Sequence, residues 1–284
     1  MKRYSIAHRT TYAFSGMVQL LPHTLRLRPR EGHELRIESS KLSIWPLANL
    51  RWHRDIEGNS VAIAKFSTNT DFLKIESEVL IQQFDLSPLD FLVADSAVNY
   101  PFDYSAEERC LLSPYLDEAT DMEYPCFDEW LRSLWFRGER IQSVELLLRI
   151  NQYIFQAITY RRREEEGVQG AGQTLAIRTG SCRDLAFLFM VTARKFGFAT
   201  RFVTGYLYSD TIIGGCGATH AWAEALIPGA GWKGFDPTIG EIVGSHHIAV
   251  AVARLPEAVP PVSGKFFGNP GASMQVDVKV TEVS

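Results

Sequence analysis

Thr179-Gly180-Ser181-Cys182-Arg183-Asp184-Leu185-Ala186-Phe187-Leu188-Phe189-Met190 is the stretch that decides how the second half of the chain folds. From Leu185 onward, Leu185, Leu188, Phe189, Thr192, Ala193 and Phe196 recur at helical spacing, and Gly197 stands where a left-handed C-cap glycine would end the helix. Ser181 is a favourable N-cap, so Cys182 falls in the first turn. The unpaired N–H groups and positive dipole end of a helix stabilise a thiolate and lower its pKa. The same groups can donate to the oxyanion of a tetrahedral intermediate, and the backbone N–H of Cys182 is the first candidate for that task. A free cysteine is also a common small core residue. The segment alone therefore leaves nucleophile and packing residue equally open.

A second segment separates the two. Gly214-Gly215-Cys216-Gly217-Ala218-Thr219-His220 leads into Ala221-Trp222-Ala223-Glu224-Ala225-Leu226-Ile227, whose alternation predicts a strand with His220, Trp222 and Glu224 on one face. The turn Pro228-Gly229-Ala230-Gly231 follows, then Trp232-Lys233-Gly234-Phe235-Asp236-Pro237, where Pro237 biases Asp236 toward extended backbone. Opposed residues of a hairpin have a constant number sum, and the midpoint of 220 and 236 lies at the first residue of the turn. His220 and Asp236 are therefore expected opposite each other or one pair off. A carboxylate beside an imidazole fixes its tautomer and leaves the other nitrogen free to take a thiol proton. Nucleophile, base and orienter thus occur in the order Cys182, His220, Asp236. Tyr160 and Gln173 are weaker candidates for side-chain oxyanion donors, Trp222 is expected to pack beside the site, and Asp184 to complement the helix dipole.

Strands after the Cys182 helix are predicted at 200–207, 220–227, 232–236 and 247–252, and a clean alternation sets Met274, Val276, Val278 and Val280 against Gln275, Asp277, Lys279 and Thr281. Before it, Phe127, Trp130, Leu131 and Leu134 form one helical pattern. Val144, Leu147, Leu148, Ile150 and Ile154 form another, with Ser143 as its expected cap. Helices followed by a run of strands indicate an α+β region. Earlier still, Tyr4, Ile6, His8, Thr10, Tyr12 and Phe14 share one face of a first strand, and Thr24-Leu25-Arg26-Leu27-Arg28 alternates leucines with outward arginines. The organisation expected is an antiparallel β domain over residues 1–105 and a catalytic domain with carboxyl-terminal strands over 106–284. Proline-punctuated residues 86–125 should form a long ordered connector. Arg161-Arg162-Arg163-Glu164-Glu165-Glu166 is expected as a solvated end or as part of a substrate rim.

The whole chain of 284 residues carries a formal net charge of −4, so a large nucleic-acid footprint is not expected, although residues 1–60 are locally basic. No stretch approaches the ~18 uninterrupted apolar residues of a membrane span. The start Met1-Lys2-Arg3-Tyr4-Ser5-Ile6 has no apolar run behind it, and Cys110, Cys126, Cys182 and Cys216 are too scattered for a disulfide framework. The expected setting is cytoplasmic, with free thiols.

Gly180-Ser181-Cys182-Arg183-Asp184, His220-Ala221-Trp222-Ala223-Glu224 and Gly234-Phe235-Asp236-Pro237-Thr238 resemble, in order, the three blocks of the transglutaminase-like superfamily. More narrowly, the chain is similar to bacterial transglutaminase-like proteins described as candidate cysteine proteases. His8-Arg9-Thr10-Thr11-Tyr12 and Leu25-Arg26-Leu27-Arg28-Pro29-Arg30 look like that family's amino-terminal β region. His247-Ile248-Ala249-Val250-Ala251 and Val259-Pro260-Pro261-Val262-Ser263-Gly264 look like its carboxyl-terminal pattern. The resemblance implies a papain-like core and acyl transfer through a thioester, with Cys182 as nucleophile, His220 as base then acid and Asp236 as orienter. Ala253, Leu255 and Ala258 depart from the tail pattern, where glycine and aspartates are expected, so the tail is not assigned to substrate binding.

Rival readings are a zinc site at Cys216-x-x-x-His220 with Cys182, and a pairing of His246 with His247. The first lacks a second ligand pair, and neighbours on a strand point to opposite faces. No metal and no cofactor are expected, and no phosphate-binding glycine loop or Gly-x-Ser-x-Gly elbow occurs. The primary expectation is hydrolysis of peptide or amide bonds in a peptide or protein substrate. Protein-glutamine transamidation is the alternative within the enzyme class, and a non-enzymatic binding module on the same fold lies outside it. The sequence does not specify the oligomeric state.

Overall fold

The computed structural model describes residues 1–84, 89–117, 126–163, 165–208, 219–268 and 271–283. Its first strand, Lys2–Leu20, pairs antiparallel with Asn69–Gln83, which in turn pairs with Leu35–Trp45. A second antiparallel sheet orders Val262–Ser263, His23–Leu25, Ser60–Phe66 and Ala48–Arg54. The period of two places Phe14, Val18, Leu73 and Ile75 from the first sheet against Leu25, Ala62 and Ala64 from the second, and all are buried. Tyr4, Ile6, His8 and Thr10 share the buried face as expected. Arg26 and Arg28 are half-buried instead of solvated, and the nearby Arg30 donates through Nη1 to Asn59 Oδ1 at 2.6 Å and to the Glu57 carbonyl at 3.0 Å.

Residues 126–253 form the α+β core. The helix Cys182–Lys195 packs on a five-stranded antiparallel sheet whose neighbouring strands are Glu241–Ile242, Gly231–Asp236, Thr219–Ile227, Thr200–Leu207 and His247–Ala253. Ala221, Ala223 and Ala225 bring the middle strand close to the helix, and Phe189 stacks on Phe235 with ring centroids 5.1 Å apart. Leucine, phenylalanine and methionine from Leu185 to Met190 are buried there. Helices Cys126–Leu134 and Ser143–Ala157 complete the layer. Ser143 is the first helical residue and Gln142 precedes it as cap residue, so the serine does not cap.

The connector contains more regular structure than its prolines suggested. Helix Ala106–Leu116 starts at a capping box in which Ser105 and Glu108 satisfy each other's backbone N–H groups. Tyr104 anchors this segment, its hydroxyl donating to the Leu226 carbonyl at 2.7 Å and accepting the Ala199 N–H at 3.0 Å. The carboxyl-terminal strands, expected with the catalytic domain, join the amino-terminal sheets instead. Ala272–Val283 pairs with the first strand from Arg3↔Val283 to Phe14↔Ala272, because its valine face supplies the cover that the first strand lacks on that side. Among the described residues no helix is long and apolar enough to cross a membrane.

Candidate active site

Cys182 is the first residue of its helix, half-buried, with Ser181 as N-cap. The turn is braced by Asp184, which is fully buried. Its carboxylate accepts the Ser181 N–H at 2.7 Å, the Ser181 hydroxyl at 2.8 Å, the Gln169 N–H at 2.7 Å and Arg163 Nη1 at 2.7 Å. Beyond complementing the dipole, Asp184 thus fixes the turn that presents the thiol. Gly197 ends the helix with φ +81°, its N–H on the Arg194 carbonyl at 2.8 Å, as the sequence predicted.

The hairpin brings His220 and Asp236 together two residues off register, one further than the sequence allowed. Ala223 lies opposite Phe235 and Glu224 opposite Gly234, so continuing the ladder sets Asp236 beside Trp222 and diagonal to His220. His220 Nε2 donates to Asp236 Oδ2 at 2.6 Å, since a carboxylate only accepts. The other ring nitrogen, Nδ1, is left free of Asp236, and Cys182 lies close enough to act on the imidazole and help raise it. His220 and Asp236 are therefore joined by a short hydrogen bond, with Cys182 near the imidazole. Burial pushes His220 down, but the charge and hydrogen bond of Asp236, aided by Cys182, more than offset this and raise it to about 10. Burial would likewise raise Asp236. The His220 charge and the bonds from His220 and His247 instead hold it well below the usual carboxylate range. Asp236 Oδ1 accepts the Thr238 N–H at 2.9 Å.

His247 is the site residue that sequence reasoning missed. Its Nε2 lies 3.1 Å from Asp236 Oδ2, while Nδ1 accepts the Gly244 N–H at 3.3 Å. The neighbour His246 points elsewhere, toward Lys2, so the two histidines do face apart. His220, Asp236 and His247 bring ligand-type atoms within 4.8 Å of one another. An ion there would need bare Nε2 atoms, whereas both face the carboxylate as N–H donors. Trp222 fills the space beside them, 6.2 Å from the His220 ring and 5.2 Å from the His247 ring, as expected. Tyr160 is half-exposed; burial raises its phenol and the nearby Cys182 charge adds to this. Gln173 is exposed, and Cys216 lies outside the described residues.

Helix-on-sheet architecture with a cysteine at the helix start and a histidine–aspartate hairpin defines a papain-like fold. Residues 4–82 match the bacterial transglutaminase-like N-terminal region and residues 137–237 match the transglutaminase-like superfamily; the chain belongs to that superfamily, a family of thiol-dependent enzymes. An uncharacterized protein of Mycobacterium bovis is 29% identical over 295 residues, covering 99% of this chain and 92% of its own length. Another from Mycobacterium leprae is 32% identical over 109 residues, 37% of this chain and 38% of its own. The crystal structure of a candidate cysteine protease from Cytophaga hutchinsonii superposes with a TM-score of 0.74 at 18% identity, covering 100% of this chain and 91% of that one. That likeness establishes a common fold.

Proposed function

We propose that this protein is a cysteine hydrolase of peptide or amide bonds, with Cys182 as nucleophile, His220 as general base then acid, and Asp236 as orienter. The observation that carries this reading is the His220 imidazole, hydrogen-bonded to Asp236 at 2.6 Å and close enough to Cys182 at the helix start to be acted on by it. With His220 raised to about 10, Nδ1 already holds the proton given up by the Cys182 sulfur as that sulfur attacks the substrate carbonyl carbon. The developing oxyanion faces the Cys182 N–H at the helix start. Collapse breaks the C–N bond, and the leaving amine takes the proton from Nδ1. Water then attacks the thioester and gives a proton to Nδ1, and the thiol is regenerated as the acid leaves.

Iodoacetamide at neutral pH should modify Cys182 faster than Cys110, even though Cys110 is exposed and Cys182 half-buried. Cys182→Ala should abolish hydrolysis of a panel of peptide amides while leaving the unfolding temperature within a few degrees of the parent. Faster labelling of Cys110, or retained hydrolysis in the alanine variant, would sink the mechanism.

A further inference from the structure

His247 belongs to no step of the reaction above, yet it is buried against the orienting carboxylate. Asp236 Oδ2 receives two imidazole donors, His220 Nε2 at 2.6 Å and His247 Nε2 at 3.1 Å. The protonation of His247 follows from its other contact. Gly244 N–H donates to Nδ1, so Nδ1 is bare and the single ring proton sits on Nε2, aimed at the carboxylate. The ring is a neutral donor whose tautomer a backbone amide has chosen.

The groups around His247 are few. Trp222 meets its ring edge-on at 5.2 Å and the His220 ring lies 6.3 Å away. Its own carbonyl accepts from Gln83 Nε2 at 3.3 Å. Gln83 closes the strand Asn69–Gln83 of the amino-terminal β domain. Tyr4, Ile6, Val79 and Ile81 of that domain pack with Ile248 and Val250 just beyond His247. The strand that carries His247 is thus fixed from behind by the β domain and meets the Asp236 carboxylate in front.

We infer that His247 is a positioning residue: it clamps Asp236 so that Oδ2 stays on the His220 side, and it links the amino-terminal β domain to the catalytic row. This deepens the hydrolase reading and rests on it for its effect on turnover, but the clamp itself concerns the geometry of Asp236 and His220. Without a donor from His247, Oδ2 is held by His220 alone, and only the Thr238 N–H on Oδ1 opposes rotation of the carboxylate. The His220 Nε2–H then loses its short partner, and the carboxylate loses one of the bonds that keep it charged.

The test compares wild type with His247→Gln and His247→Leu. Glutamine offers an N–H to Oδ2 and an oxygen to the Gly244 N–H; leucine fills similar space and offers neither. Two measurements are made on each protein, with thermal unfolding as the check on folding. In proton NMR, the short His220 Nε2–H bond should give a strongly downfield resonance in wild type, retained in the glutamine variant and lost or moved upfield in the leucine variant. Alkylation of Cys182 by iodoacetamide at pH 7 should slow about tenfold or more with leucine, the scale on which outer partners of a site act. With glutamine it should return to within about threefold.

An unchanged downfield resonance in a folded His247→Leu protein overturns the clamp, whatever the alkylation rate. A glutamine variant as impaired as leucine in both measurements also overturns it, because that would assign His247 to shape alone. If Cys182 of wild type shows no preferential labelling while the resonance responds as expected, the hydrolase reading fails and the clamp stands. The two ideas are thereby separable.

Discussion

Asp236→Ala is the most demanding perturbation of the candidate site, since three N–H groups converge on that carboxylate: His220 at 2.6 Å, His247 at 3.1 Å and Thr238 at 2.9 Å. The residue is fully buried, and water does not replace what is removed. Breaking a buried pair by deleting one partner costs about 3–5 kcal/mol. Linkage gives the pH window. Burial opposes the charge on His220, but Asp236 and Cys182 raise it from 6.5 to about 10. A group raised in this way stabilises the fold in full below its unfolded value and loses that contribution as pH climbs through the folded one. Asp236 is held below its ordinary 3.8, so its contribution is present above that value and fades as pH falls further.

The assay is urea unfolding of both proteins across pH 5–10.5. The gap between them should be about 3–5 kcal/mol near pH 6 and should close progressively toward pH 10. A gap below about 1 kcal/mol, the size of an ordinary hydrogen bond, would refute the reasoning. So would a gap as large at pH 10 as at pH 6.

Two more changes probe the scaffold. Asp184→Ala strips four donors of their acceptor and leaves Arg163 half-buried without its partner; a loss of about 3–5 kcal/mol is expected by urea unfolding, and a loss under 1 would show that the turn holds without its brace. Gly205→Ala puts a Cβ against the Ile248 carbonyl and the Trp222 ring, so about 1–3 kcal/mol should be lost and the tryptophan fluorescence shifted; an unaltered spectrum would mean the sheet yields there without moving Trp222.

Local periodicity made the Cys182 helix, its Gly197 end and the catalytic strands legible, because each is written in a run of adjacent residues. The His220–Asp236 meeting was also within reach, since a hairpin converts sequence distance into spatial register. His247 was not. In sheet order its strand is separated from the Asp236 strand by Thr219–Ile227 and Thr200–Leu207. On a flat sheet three strand spacings of about 4.8 Å would hold them apart. The two side chains nevertheless meet at 3.1 Å, and the site of a Gly205 Cβ on an intervening strand is taken by the Trp222 ring and the Ile248 carbonyl; no alternation pattern encodes such an approach across strands. The helix Ala106–Leu116 is a different case: Ser105 and Glu108 carried its start signal, but the prolines around it argued more strongly for irregular chain.

The strand Ala272–Val283 carries a consequence for synthesis. On the ribosome, Lys2–Leu20 emerges well before the thiol-bearing core, and Asn69–Gln83 follows soon afterward to pair with it. Its opposite edge must then remain uncovered while the entire thiol-bearing core is being made. Nascent chains caught in that interval would present a long bare edge to one another, so a ribosome that stalls late in the message should yield aggregates built from the amino-terminal sheet.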